Sequence, residues 1–416
     1  MFGSDGIKRR DVLRGTMAMG GLAGLSACAG TAPRASLQAA RPGLARPPLV
    51  PMRIGPDEII DIKCCLRPFR PAGPNLNAEQ VGDTLVIHNY GHGGSGWSLS
   101  WGSAEIAVGK AMSVVPKEIA VIGCGVVGLT AAVHAQRAGA KVTIYAREPF
   151  ARTRSVRANG GWTPDSRIAL AEPAGPGFGD LWEQMARISW KAFRSYVGLP
   201  GDPVDFADQY AVSETPIKRR EREAVDPARP TYASAGLPQQ NGEFGHYQDR
   251  IKDIIPDGFD LAPEDNPFGT RYGRVQSHMF FNFGAYGHLL MTEFLQGGGR
   301  FEMRDFHTPA DVAQLREKVV INSTGYAAKM LWDDRTLIPV RGQTAWLRPQ
   351  YEAKYGVAYN NVSLLSKSDG IMMMNPPRDV GELYGVNDSN EIPDRDQILA
   401  GLAAIAPLFA KRPVRS

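Results

Sequence analysis

The apolar run Glu118-Ile119-Ala120-Val121-Ile122 enters the turn Gly123-Cys124-Gly125-Val126-Val127-Gly128, and Leu129-Thr130-Ala131-Ala132 leaves it. Few folds accommodate a β-branched strand, a G-x-G-x-x-G turn and an alanine-rich helix in that order. The pattern predicts a parallel α/β layer that binds a dinucleotide. Gly123 permits the tight turn, Gly125 lets backbone N–H groups approach a pyrophosphate, and Gly128 lets helix pack on strand. Val127 lies on the same turn, where the helix presents its positive end to the phosphates. A second strand is expected over Lys141–Ala146. Glu148 stands 20 residues past Gly128, where a ribose-binding carboxylate belongs. Arg147 is adjacent, and which of the two meets the adenosine is open. A glycine turn that binds nothing is the competing reading, and the second strand and the acid argue against it. Such a unit ordinarily opens a chain, yet here more than fifty apparently folded residues precede it.

At 416 residues the chain suits two domains. A formal charge of +4 is small for that length and argues neither for nor against an anionic partner. The mixed run Lys218–Glu223 reads as a solvated face and not as a nucleic-acid site. The four cysteines, Cys28, Cys64, Cys65 and Cys124, match neither a disulfide framework nor a metal-ligand spacing. Arg9-Arg10, a short apolar stretch from Thr16 to Ala27, and Leu25-Ser26-Ala27-Cys28 resemble a twin-arginine export signal ending in a lipobox. They imply a periplasmic protein with a lipid anchor on Cys28. Residues 29–56, rich in Ala, Pro, Arg and Gly, read as a disordered tether. No later run approaches the roughly 18 apolar residues of a membrane span.

The segment ahead of the glycine turn carries the most specific motif. Val86-Ile87-His88-Asn89-Tyr90-Gly91-His92-Gly93-Gly94-Ser95-Gly96-Trp97-Ser98 closely resembles the flavin-binding loop of D-amino acid oxidases. Arg67-Pro68-Phe69-Arg70-Pro71 resembles the Arg-Pro-x-Arg-Pro element that precedes the loop there. In that family both lie near the C-terminus. Further matches follow the glycine turn in family order: Gly160-Gly161-Trp162-Thr163-Pro164, Tyr272-Gly273, Val319–Gly325 and Val340-Arg341-Gly342-Gln343. The chain therefore looks like a circular permutation, with residues 57–112 moved ahead of the first strand. The competing reading makes 57–112 an unrelated N-terminal domain.

The resemblance implies a mixed α/β fold: a Rossmann-like FAD-binding domain and a substrate domain with a mixed sheet. After the signal (1–28) and the tether (29–56) come the flavin-loop segment (57–112) and the dinucleotide unit (113–165). Residues 166–305 would be mainly substrate domain. Residues 306–345 would return to the FAD domain, and 346–416 would supply substrate-domain strands and a last helix. FAD is the implied cofactor. Backbone N–H groups of Gly93, Gly94, Gly96 and Trp97, with Ser98, would face the flavin. Thr153, Arg154 and Ser155 would meet the pyrophosphate, and Gly160 and Gly161 would let the backbone pass the ring. Arg67 would take the substrate carboxylate as a bidentate pair, helped by Tyr272. Phe268 stands where the family carries a second tyrosine, which leaves the lid and substrate range open. His88 and His92 are read as locally bonded and given no catalytic role.

The implied reaction is oxidation of a small D-amino acid by hydride transfer from Cα to flavin N5, needing no side-chain base. The electrons would pass to O₂, giving peroxide, or to a quinone. A FAD-dependent amino acid or amine dehydrogenase and a non-catalytic flavin-binding lipoprotein are the rival readings.

Overall fold

A computed structural model describes residues 49–217, 244–377 and 383–410. Arg9, Arg10, Cys28 and the tether up to residue 48 lie outside the described residues, as does the run Lys218–Glu223. In chain order the strands are β1 (Ile59–Phe69), β2 (Ala78–Val81), β3 (Thr84–His88), β4 (Glu118–Ile122), β5 (Lys141–Ala146), β6 (Val204–Ser213) and β7 (Phe259–Leu261). They continue with β8 (Tyr272–Phe281), β9 (Arg300–Met303), β10 (Val319–Asn322), β11 (Ile338–Leu347), β12 (Tyr355–Tyr359), β13 (Val362–Lys367) and β14 (Gly370–Met374). Two sheets form, ordered β2-β3-β10-β4-β5-β9 and β1-β11-β14-β13-β12-β6-β8-β7.

The dinucleotide unit folds as its sequence requires. β4 runs into Gly123, α1 and α2 are the helices Gly96–Met112 and Val126–Arg137, and β4 pairs in parallel with β5. Gly123 has φ +102° and lies against the Ser323 carbonyl. A Cβ on Gly128 would stand 3.0 Å from the Gly123 carbonyl carbon and 3.2 Å from Ser323 Cβ, so any larger residue would push helix from strand.

Residues 57–112 do not form a body of their own. β1 pairs antiparallel with β11 from Ile59 opposite Leu347 to Phe69 opposite Ile338. β3 pairs in parallel with β10 on the other sheet. α1 is apolar on nearly all sides, as a helix buried all round must be, and its Trp97, Leu99, Trp101, Ala104 and Ala107 are buried. It lies against the helix Phe178–Arg194, where Gly102 donates its N–H to Ser189 Oγ at 2.9 Å. A Cβ on Gly102 would meet the Met185 backbone. One core fills the space between these helices and the six-stranded sheet. A second lies between the eight-stranded sheet and the helix Arg395–Ile405.

Two expected boundaries move. Residues 49–56 belong to the folded body: Met52 is buried in the second core, Arg53 N–H donates to Gln350 Oε1 at 2.7 Å, and the Val50 carbonyl accepts from Tyr355. One methionine with two apolar neighbours suffices to dock a segment that composition assigns to the tether. The return to the dinucleotide layer also precedes residue 306. The helix Phe283–Gln296 packs into the first core, and β9 extends the six-stranded sheet beside β5.

Candidate active site

β3, β10, β4 and β5 run parallel and end on one edge of their sheet. The residues just past those ends, Asn89, Ser323, Gly123 and the Arg147-Glu148 pair, line a single cavity of about 2710 Å³. Open α/β sheets bind ligands beyond the carboxyl ends of their strands. The volume exceeds the roughly 300–1,000 Å³ of a drug-sized pocket. It can hold a dinucleotide together with a smaller molecule.

α1 and α2 both begin at this cavity. A Cβ on Gly96 would lie 3.8 Å from Val127 Cγ2, so the two helix starts are neighbours. In α2 the Val126 N–H donates to Ser155 Oγ at 2.9 Å, and the first helical bond is Leu129 to Gly125. Val127 and Gly128 keep N–H groups without a partner among the described residues. In α1 the first helical bond is Leu99 to Ser95, which leaves the N–H groups of Gly96, Trp97 and Ser98 likewise open. Two positive helix ends side by side suit an anion. A Cβ on Gly125 would stand 3.0 Å from Ser155 Oγ, so only glycine lets the turn lie this close to Ser155. Glu148, past β5, makes no hydrogen bond or close ion pair among the described residues, although its charge is felt by Arg154. These features fit a dinucleotide with a pyrophosphate.

The glycine loop departs from expectation in part. Gly93 N–H donates to the Pro68 carbonyl at 2.8 Å and Gly94 N–H to the Ser166 carbonyl at 2.9 Å, so neither faces the cavity as a free donor. These bonds shape the loop, and Gly93 at φ +55° sits where a Cβ would meet the Arg167 carbonyl. Trp97 Nε1 donates to the Ser155 carbonyl at 2.8 Å, and Ser98 Oγ accepts from Thr163 N–H at 2.7 Å. The loop is thereby tied to the segment that carries the expected phosphate ligands. His88 is held by Asn322 at 3.0 Å and Glu79 at 3.3 Å. His92 Nε2 has no hydrogen-bond partner among the described residues, and burial lowers its pKa to about 4.

Other expected cofactor residues divide. Thr153, Arg154 and Ser155 line the cavity, but Thr153 Oγ1 donates to the Phe150 carbonyl at 2.8 Å. The Arg154 guanidinium is closed by Glu391, Nε to Oε1 at 3.0 Å and Nη2 to Oε2 at 2.7 Å. A neutralised fork is not the spare cation expected for a phosphate. Gly160 and Gly161 are absent from the cavity wall. Gly160 accepts from Phe281 N–H at 2.8 Å, Gly161 bridges to Phe280, and Asn159 faces the cavity instead.

Arg67 reaches the cavity from β1. Its Nη1 donates to the Arg341 carbonyl at 3.1 Å, and the guanidinium lies over Gly342, where a Cβ would stand 2.6 Å from Cζ. No acidic residue pairs with it among the described residues. Burial lowers its pKa from the usual value, with Cys65 and Tyr384 acting the other way; a guanidinium stays charged regardless. Tyr272 does not join it. It opens β8 opposite Ser213, with β11, β14, β13, β12 and β6 between it and β1. The cavity tyrosine near Arg67 is Tyr384, whose hydroxyl donates to Gln397 Oε1 and accepts from Arg341 Nη1. Nothing in the local sequence singles out Tyr384, because only the fold brings its loop beside β11. Arg157 was also missed, although its place three residues after Arg154 on a 3-10 turn puts both on one side.

The family model described as "FAD dependent oxidoreductase" matches residues 118–415. A D-amino-acid oxidase of Streptomyces coelicolor is 28% identical over 230 residues, 54% of this chain and 58% of that protein. The match thus spans less than two thirds of that relative. A D-amino-acid oxidase of Dictyostelium discoideum is 26% identical over 302 residues, 70% of this chain and 73% of its own. Among solved structures, iminodiacetate oxidase from Chelativorans sp. BNC1 is similar with a TM-score of 0.45 and 16% identity, over 70% of this chain and 80% of that one.

Proposed function

We propose, for a chain that belongs to the FAD dependent oxidoreductase family, that the cavity oxidises the α-carbon of a D-amino acid. FAD is the cofactor of this family, and when bound it would accept the Cα hydride, which carries both electrons of the oxidation. The chain's own part is binding and orientation. The starts of α1 and α2 would hold the pyrophosphate and the flavin's polar edge, and Glu148 a ribose hydroxyl. Arg67 would take the substrate carboxylate through its open Nε–Nη2 edge. Holding the substrate by its carboxylate aims Cα, and such orientation supplies much of the rate in reactions of this kind. Having lost the Cα hydride and its ammonium protons, the substrate would leave as an imino acid that water hydrolyses to a 2-oxo acid and ammonia, and the electrons would pass on to O₂ or a quinone.

The observation that carries the reading is an unpaired guanidinium fork in the cavity where two helix starts meet. The D configuration rests on the names of both curated relatives. The test is the absorption spectrum of the purified protein, followed by D- and L-amino acids added under nitrogen. Bleaching of a flavin band by D-amino acids is expected, and air or a quinone then identifies the acceptor by restoring the band. A protein without flavin, or one bleached only by L-amino acids, overturns the proposal.

We further infer that residues 57–112 are the family's C-terminal piece in permuted order, which their division between both sheets supports. Export by the twin-arginine route with a lipid on Cys28 is likewise our reading of the first residues. It is tested by the mass of the N-terminal peptide from the membrane fraction, where an unmodified Cys28 would refute it.

A further inference from the structure

Two guanidinium forks open on the cavity, and the reading above uses only Arg67. The second is Arg157, the last residue of the 3-10 turn Arg154–Arg157, which also lines the cavity. Its Nη1 lies 3.5 Å from the Cys64 carbonyl and 3.3 Å from Glu391 Oε1. Its Nε and Nη2 have no partner among the described residues. Arg67 is engaged in the same manner, by Nη1 alone on the Arg341 carbonyl. The two anchoring carbonyls belong to paired strands. Arg341 stands opposite Leu66 in the β1–β11 ladder, so Cys64 is its diagonal neighbour. Such diagonal positions are roughly 7–8 Å apart. Each arginine is thus pinned at one corner to the same ladder, with its carboxylate-binding edge left over. The neighbouring Arg154 shows what such an edge takes on this turn, since its Nε and Nη2 grip the Glu391 carboxylate at 3.0 and 2.7 Å. Cys65 also lines the cavity, and its thiol feels Arg67, Arg154 and Arg157 together, against the single carboxylate of Glu391.

We infer that the substrate carries two carboxylates: an acidic D-amino acid whose α-carboxylate binds the Arg67 fork and whose side-chain carboxylate binds the Arg157 fork. This rests on the amino acid oxidase reading, and the experiment separates the two. kcat/KM of the holoenzyme is measured for D-aspartate, D-glutamate and D-alanine in wild type, Arg157→Met and Arg157→Lys. The ratio of an acidic substrate to D-alanine is expected to exceed roughly 30 in wild type. It should fall by about tenfold or more in Arg157→Met, less than for a fully buried pair because the Arg157 side chain is part exposed and already touches Glu391. Arg157→Lys should restore it in part, because an ammonium lacks the fork. Binding without turnover gives a second readout: malonate should raise the melting temperature of the holoenzyme more than acetate does, and Arg157→Met should abolish the difference. Oxidation of D-alanine with a ratio near one, unchanged in Arg157→Met, overturns this inference and leaves the oxidase reading standing. Loss of bound flavin in Arg157→Met with an unchanged ratio also overturns it, by placing Arg157 on the cofactor. No oxidation of any D-amino acid defeats the oxidase reading first.

Discussion

Arg67 owes its position to a residue that has no side chain. Gly342, opposite Cys65 on β11, leaves room for the guanidinium, and the Arg341 carbonyl holds one corner of it. Removing the arginine would leave a substrate carboxylate unpaired in a water-poor pocket. Arg67→Ala should therefore cost about 2–5 kcal/mol of transition-state binding, or roughly 30- to several-thousand-fold in kcat/KM. Bound flavin should be unchanged, and Arg67→Lys should recover only part of the loss. Gly342→Ala tests the same contact from the other side. The added methyl displaces the guanidinium, so KM for the amino acid should rise while the protein still folds and holds flavin. Steady-state kinetics beside a flavin-to-protein absorbance ratio check both variants. An equal loss of activity and flavin would make Arg67 a support of the fold.

The loop from β3 to α1 is an element whose bonds serve its own shape. Gly93 and Gly94 spend their N–H groups on Pro68 and Ser166, while Gly96, Trp97 and Ser98 at the start of α1 keep theirs open among the described residues. His92 is buried where the loop borders the cavity, and that burial keeps its imidazole neutral, with a folded pKa of about 4 against an ordinary 6.5. Between those values the unfolded chain binds the proton and the folded chain does not, so stability falls as pH falls through that window. The loss reaches about 2 kcal/mol by pH 5. Urea unfolding of wild type and His92→Gln at pH 7.5 and pH 5 should show wild type losing more by about that amount. Identical pH dependence in the two would mean the ring is solvated. Arg154–Arg157 is the complementary element: a single 3-10 turn presents one closed and one open fork, and the difference lies in Glu391, far along the chain.

At the scale of the described body, its first and last segments meet. Met52 and Leu408 belong to one apolar cluster, with Leu49, Ile54 and Phe409 packed against it. Leu49 and Phe409 pack against the same cluster, so a short linker from residue 410 to residue 49 spans little distance. A gene reordered to begin at residue 113 and end with 49–112 should give a protein that binds FAD with unchanged spectrum and affinity. An insoluble or flavin-free product, with the unpermuted control folded, would count against the permuted reading. What the sequence determined by itself was local: β4, the Gly123–Gly128 turn, α2, β5 and α1 all lie where their residues require. Turn sterics, strand branching and helix exit are written within about twenty residues of one another, so these elements can be read without knowing their partners. Arg67 was also legible, through the motif that contains it. The tertiary structure decided which polar groups remain available. Glu391 closes Arg154 across 237 positions, β11 brings Tyr384 beside Arg67 in place of Tyr272, and edge pairing turns Gly160 and Gly161 from the cavity. The physical reason is that a donor's availability depends on what packs against it, and residues far apart in the chain supply that packing.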